Sequence, residues 1–258
     1  MLRFSANLNY LFNEVPMLAR FAAAKEAGFS AVEIQTPYHE PIDAITRAAR
    51  AASVEVVLIN TPLGDPAKGD RGLAALRGRE SEFRDGVALA FDYAEALGAK
   101  CLHVLAGTEQ SGGDLATFTK NLLWAAPEAA KRGLTLLVEP LNLQDNPGYV
   151  MNRLAQAEAV IEKVGATNVR LQFDFYHAQV SEGDIANRFR RYQPLTAHVQ
   201  FANVPGRHEP GRGEIDFAYL FELIDSLGYT GWVGAEYRPS GTTQASLAWG
   251  QRYGIGNP

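Results

Sequence analysis

Short apolar runs of β character alternate along this chain with alanine-rich segments whose apolar residues recur at helical spacing. The pattern predicts strands at Arg3–Leu8, Ala31–Gln35, Glu55–Asn60, Cys101–Leu105, Thr135–Glu139, Val169–Asp174, Thr196–Phe201 and Trp232–Tyr237. It predicts helices near Val15–Ala27, Pro41–Ser53, Glu80–Leu97, Asp114–Arg132, Asn152–Val164, Ile185–Tyr192, Asp216–Leu227 and Thr242–Arg252. Strictly alternating strands and helices imply parallel strands, because each parallel pair needs a crossover connection. Gly28, Gly98, Gly133, Gly165 and Gly228 each follow a helical stretch, where a left-handed C-cap is wanted. Eight β/α units in about 250 residues match a closed barrel. A doubly wound sheet would usually carry a glycine-rich phosphate turn after its first strand, and here that stretch reads ANLNYLFNE, without glycine. No linker or low-complexity segment divides the chain. The expectation is a single-domain (β/α)8 TIM barrel over residues 1–258.

Composition narrows the class without changing the fold. The chain has 258 residues, 47% of them hydrophobic, which suffices to bury a core without disulfide staples. Cys101 is the only cysteine, so an internal disulfide framework and any thiolate-rich metal site are excluded. A net charge of −5 argues against charge-driven nucleic-acid binding. The first residues, MLRFSANLNYLFNEVP, lack a signal-peptide h-region, and no apolar run approaches a membrane span. A soluble, cytoplasmic protein with no membrane or nucleic-acid partner is expected.

Function in such a barrel sits where strands end. The fifth strand, TLLVE, stops at Glu139, and the sixth, VRLQFD, at Asp174. The seventh carries Gln200 near its end, and the eighth carries Glu236. Any one of these taken alone is as readily a solvated or loop-capping group. Three carboxylates on one barrel mouth, however, repel each other and raise one another's pKa unless a cation neutralises them. An all-oxygen set suits a hard divalent ion, Mg²⁺ or Mn²⁺. His177, three residues past Asp174 in the loop FDFYHAQ, can reach a substrate oxygen or be an ordinary loop histidine. Arg207 and His208 sit in the Gly- and Pro-rich loop NVPGRHEPGRGEID, which can order a guanidinium for bidentate carboxylate binding or be simple turn chemistry. His103, inside the fourth strand, reads first as a satisfied barrel histidine and second as a substrate contact. Glu33 faces the barrel interior by parity and reads as structural. The PGRG stretch at Pro210–Gly213 is too short and wrongly placed for a phosphate loop.

The stretches FSANLNYLFNE, RFAAAKEAGFSAVEIQTPY, LGAKCLHVLAG, LLVEPLN with NPGY, LQFDFYHAQ, HVQFANVPGRHEPGRGEID and GWVGAEYRP run in order from Phe4 to Pro239. On them the chain resembles the hydroxypyruvate isomerase family, including the 2-oxo-tetronate isomerases, within the xylose isomerase-like barrels. Gln200 stands where sugar epimerase relatives typically place a histidine ligand. The resemblance implies that Glu139, Asp174, Gln200 and Glu236 bind a divalent metal and that Glu139 and Glu236 form a proton donor–acceptor pair. It places His177 and Arg207 among substrate-contacting groups, and the loop after Glu139, NLQDNPGY, carries one more acidic residue, Asp145. The implied reaction interconverts hydroxypyruvate and tartronate semialdehyde, or a 2-oxo-tetronate pair, through an enediolate, and needs no nicotinamide or flavin. The substrate partner is then a small sugar acid or keto acid, and a homo-oligomer is compatible with the exposed barrel helices although no stripe demonstrates it.

Rival readings are a ketose 3-epimerase on the same scaffold, a polyol lyase, an abasic-site endonuclease and a non-catalytic sugar-acid binding protein. An endonuclease of that kind would want several zinc ions held by many histidines and a basic face. Five histidines, mostly away from strand ends, and the net charge of −5 count against it. Two opposed glutamates count against a purely binding role.

Overall fold

The computed structural model describes residues 1–256. Eight parallel strands close into a barrel in sequence order, with β8 pairing back onto β1. They are β1 (Arg3–Asn7), β2 (Ala31–Ile34), β3 (Glu55–Asn60), β4 (Cys101–His103), β5 (Thr135–Val138), β6 (Val169–Asp174), β7 (Thr196–Phe201) and β8 (Trp232–Ala235). The helices around them are α1 (Met17–Glu26), α2 (Ile42–Ala52), α3 (Glu80–Leu97), α4 (Leu115–Ala130), α5 (Leu154–Val164), α6 (Phe175–Ser181), α7 (Ile185–Tyr192), α8 (Phe217–Ser226) and the single turn α9 (Thr243–Ser246). Among the described residues, no helix is long and apolar enough to cross a membrane.

Periodicity and strand ends predict these elements closely, with two departures. The FDFYHAQ segment is not a loop: it is the helix α6, which starts directly from β6. Asp174 makes this possible by capping it, its side chain accepting the Tyr176 N–H at 2.7 Å. The C-terminal helix is one α turn followed by a 3₁₀-helix over Leu247–Tyr253. Gly250 lies within that stretch and lets Ile255 approach to where a Cβ would sit. The five predicted helix-ending glycines all take positive φ. At Gly28 the requirement is double, because a Cβ would lie 2.1 Å from the Gly254 carbonyl oxygen.

The main core lies between barrel and helices, where Phe4, Phe201, Phe221 and Trp249 meet edge to face or tilted. The barrel lumen is built differently. Its N-terminal end is plugged by a small apolar cluster of Ala31, Val57, Leu58 and Leu137. Two residues further along their strands, the inward positions turn polar: Glu33 follows Ala31, His103 follows Cys101 and Glu139 follows Leu137. As parity predicts, Glu33 is fully buried, and it anchors this layer. It accepts hydrogen bonds from Ser5 (2.7 Å), Asn7 (3.4 Å) and the Gln200 amide (2.6 Å), and it pairs with His198 Nε2 at 2.8 Å. Burial alone would push the Glu33 carboxyl up, but His198 and these donors outweigh it and hold the pKa below the usual range.

Gly234 on β8 makes room for that carboxylate, since a Cβ there would lie 1.8 Å from Glu33 Oε1. Glu33 is held from several directions and cannot step aside. Gly234→Ala is therefore expected to lower unfolding stability by about 1–3 kcal/mol through overpacking. Gly241→Ala, where nothing lies within 4 Å and φ is not positive, is the neutral control. Equal urea midpoints for the two variants would contradict this reading of the lumen.

Candidate active site

The four strand-end residues converge at the C-terminal mouth. Asp174 pairs in register with Gln200 across β6 and β7, and Gln200 with Gly234 across β7 and β8. Glu139 and Glu236 each stand one residue beyond their strands, and both are almost wholly buried. With His177, Arg207 and His103 they line or underlie a cavity of about 210 Å³ that opens between the β/α loops. One oxygen of Glu139, one of Asp174 and a ring nitrogen of His177 lie within 4.8 Å of one another.

Burial and mutual repulsion govern the charges here. The Glu139 carboxyl is pushed well above its usual pKa by desolvation, then by Glu236 and Asp174. Glu236 is raised to about 8, chiefly by burial, with Asp174 and Glu33 adding to the shift and Arg207 opposing it. Asp174 is also raised by burial, against the pull of Arg207 and of its own backbone hydrogen bonds. Arg207 is the cation that offsets this. Its Nη2 donates to Glu236 Oε1 at 2.6 Å and lies 3.4 Å from Asp174 Oδ2, while Nε donates to the Glu236 carbonyl at 3.3 Å. The guanidinium is stacked between the Tyr10 and Tyr176 rings at 4.9 and 5.0 Å. Its backbone takes a left-handed φ of 59° and its carbonyl accepts the Arg238 N–H at 2.7 Å.

His177 is oriented by its neighbours. The Asn142 backbone N–H donates to its Nδ1 at 3.1 Å, so the neutral ring carries its hydrogen on Nε2, the atom that faces Asp174 Oδ2 at 3.7 Å. Burial and Arg207 hold its pKa well below the ordinary value, which keeps it neutral. Its geometric place beside Glu139 and Asp174 is thus that of a hydrogen-bond donor rather than a metal ligand, since the ring presents an N–H to the cluster. Asp145 touches the network indirectly: it accepts the Tyr176 hydroxyl at 2.7 Å and so steadies one of the two rings against Arg207.

The residues present fit a hard cation. Glu139 Oε1, His103 Nε2 and Gln172 Oε1 are buried and have no hydrogen-bond partner, an unusual concentration of unmet polar atoms around one carboxylate. Gln200 is fixed from both sides, its Oε1 accepting from Gln172 Nε2 at 2.6 Å and its Nε2 donating to Glu33. Its oxygen, which has a second lone pair, is therefore presented toward Gln172 on β6 and not left to flip.

A xylose isomerase-like TIM barrel model matches residues 21–253. The 2-oxo-tetronate isomerase of Cupriavidus necator is 45% identical over 255 residues, covering 97% of this chain and 98% of that protein. The hydroxypyruvate isomerase of Escherichia coli is 44% identical over 257 residues, covering 98% of this chain and all of that protein. The chain belongs to the hydroxypyruvate isomerase family. A Brucella melitensis crystal structure described as an AP endonuclease, family 2, shares the fold of this hydroxypyruvate isomerase-family chain with a TM-score of 0.95. It is 45% identical, with coverage of 98% of this chain and 99% of that one.

In this family member Glu139, His177, Arg207 and Glu236 line one cavity, Asp174 lies beside Glu139 and His177, and Gln200 stands next to Asp174 in register with its amide engaged by Gln172 and Glu33. The pattern of strand ends points to these residues. It does not point to their supports. Gln35, at the end of β2 and two residues past Glu33, donates to Glu236 Oε1 at 2.8 Å, and parity with Glu33 is the signal that could have found it. Gln172, two residues before Asp174 on β6, carries the same signal, whereas Asn142 carries none. His103, read first as a satisfied barrel residue, is satisfied on one side only: Nδ1 lies 3.3 Å from Glu139 Oε2, and burial lowers its pKa to about 3.

The raised carboxyls set a pH dependence. They bind protons more tightly in the folded cluster than in the unfolded chain, so the folded state holds the excess of protons between the ordinary carboxylate range and pH about 8. Below the ordinary histidine range the lowered His103 and His177 oppose this slope, so stability of the metal-free protein is expected to fall with pH between that range and about 8. Glu33, whose pKa is lowered, contributes fully above the ordinary carboxylate range and adds no slope there. Thermal midpoints of chelator-treated protein from pH 7 to 8.5 should decline, and Glu236→Gln should flatten the decline. A slope identical in the variant would exclude Glu236 as its source.

Proposed function

We propose that this isomerase-family chain interconverts hydroxypyruvate and tartronate semialdehyde, or the corresponding 2-oxo-tetronate pair, by moving a proton between adjacent carbons. The observation that carries the reading is the pair of buried glutamates at β5 and β8, on different arcs of one small cavity, both with raised pKa. The names of the Cupriavidus necator and Escherichia coli relatives support the same substrate class.

The chemistry asks for a base on one side of the substrate and an acid on the other. A carboxyl raised toward neutral pH is suited to both, because it takes and returns a proton at little cost. Glu139 or Glu236 removes the proton from one carbon, and its counterpart delivers one to the neighbour. His177 Nε2–H, held in its tautomer by Asn142, donates to a substrate oxygen as charge develops in the enediolate. Arg207 lines the cavity as well, although Nε and Nη2 are committed to Glu236 and Asp174, and its pull holds those groups nearer to ionisation. A divalent ion, Mg²⁺ or Mn²⁺, held by Glu139, Asp174, Gln200 and Glu236 would polarise the carbonyl and stabilise the enediolate. Glu139, Asp174, His177 and Glu236 are buried, which strengthens each of these interactions. The reading extends to a cytoplasmic enzyme acting on a small keto acid or sugar acid.

The abasic-site alternative draws support only from the description of the Brucella melitensis structure. Among the described residues, the one cluster able to hold a metal contains a single histidine. A ketose 3-epimerase would use the same glutamates and differs in what the far end of the pocket recognises.

Glu139→Gln and Glu236→Gln keep size and one ligand oxygen but remove the base. Each is expected to lower turnover of hydroxypyruvate at least about 10²-fold. Calorimetric titration with Mn²⁺ should still detect binding. Deuterium exchange from solvent into substrate should separate the pair, since the variant lacking the abstracting glutamate stops exchange from that side. A metal-loaded Glu236→Gln enzyme that isomerised at near wild-type rate would exclude the two-carboxylate mechanism.

A further inference from the structure

The cavity holds a second arginine that the carboxylate cluster does not use. Arg71, in the connection between β3 and α3, lines the same cavity as Glu139, His177, Arg207 and Glu236. It is exposed at the mouth, and among the described residues it makes no ion pair. Its side chain has one partner, the neutral Asn146 Oδ1 at 3.3 Å, which belongs to the β5–α5 connection. Arg207, by contrast, is already neutralised by Glu236 and Asp174. We propose that Arg71 binds the substrate carboxylate and gives the pocket its preference for an acid over an uncharged ketose. This rests on the isomerase reading above and names the group that selects its substrate class.

Arg71 is exposed, but the backbone that carries it is not free. On one side, Asp70 is buried and clamped by both terminal nitrogens of Arg79 at 2.7 and 2.9 Å. On the other, Gly72 donates to the Leu63 carbonyl at 2.8 Å and pairs with Ala106, with φ at 121°. A Cβ at Gly72 would lie 2.4 Å from the Leu105 carbonyl oxygen, so the loop is pressed against the segment after β4 as closely as a backbone allows. The result is a long cationic side chain on a fixed base, aimed over a pocket whose floor is acidic. An α-keto acid entering that pocket would be repelled by Glu139, Asp174 and Glu236 unless a cation met its carboxylate. A guanidinium suits the task because its planar fork matches a carboxylate. The bond to Asn146 holds it there with a partner that is readily exchanged.

The test compares hydroxypyruvate with dihydroxyacetone, which keeps the hydroxyketone and replaces the carboxylate by a neutral alcohol. Binding of glycerate, an acid with no carbonyl to react, is read in parallel by calorimetry. In Arg71→Ala the ratio of kcat/KM for the acid to that for the neutral ketose should fall about 10- to 100-fold, mostly through KM for the acid, and glycerate binding should weaken to match. Arg71→Lys should recover part of the loss, and Arg77→Ala, an exposed arginine paired with Asp114, should leave the ratio alone. An unchanged ratio would overturn the proposal, and so would an equal fall for both substrates, which would mean that Arg71 only shapes the loop. If the wild type turned over neither compound yet bound glycerate in an Arg71-dependent way, the isomerase reading would fail and the carboxylate site would stand.

Discussion

Three carboxylates share one nearly dry barrel mouth, and the rest of the site is arranged around their repulsion. Glu139, Asp174 and Glu236 cannot all ionise there without a compensating positive charge. Arg207 supplies one, and its own supports follow from that duty: aromatic rings on both faces, a left-handed backbone and a hydrogen bond from Arg238 to its carbonyl. One guanidinium does not satisfy the cluster, as the unpartnered Glu139 Oε1 and His103 Nε2 record. The same shortfall that makes the site costly to fold makes it receptive to a hard cation and to proton transfer near neutral pH.

Beneath this mouth lies a layer that most barrels would fill with branched aliphatics. Here it is an ionic web centred on Glu33, closed below by a thin apolar plug. The web fixes which way the Gln200 amide faces, and Gly234 keeps the space open for it. Stability and function are thereby coupled. A substitution in the lumen disturbs the orientation of the Gln200 amide as well as the packing, because residues two apart on one strand serve the two layers.

The barrel and the acids at its strand ends are legible in the sequence because both follow from short-range rules. Alternation of β and α character gave the topology, and counting to the end of each strand gave Glu139, Asp174 and Glu236. The helix α6 was missed because its start depends on a side-chain cap, Asp174 to Tyr176, which the sequence FDFYHAQ does not advertise. Arg207 was read as a free fork for a substrate carboxylate, but two of its three nitrogens are engaged by protein oxygens. That commitment arises from contacts between β6, the loop after β7 and the end of β8, which no local pattern encodes. Arg71 was overlooked for a similar reason: only the folded β3–α3 connection brings it to the pocket.

The chemistry proposed for this site turns on one hard cation held among the strand-end acids beside Arg207. Anomalous diffraction at the manganese edge from Mn²⁺-soaked crystals tests it directly. The expected result is one strong peak with oxygens of Glu139, Asp174, Gln200 and Glu236 at about 2.0–2.3 Å. No peak at the barrel mouth, or a peak ligated through His177 Nε2, would contradict it.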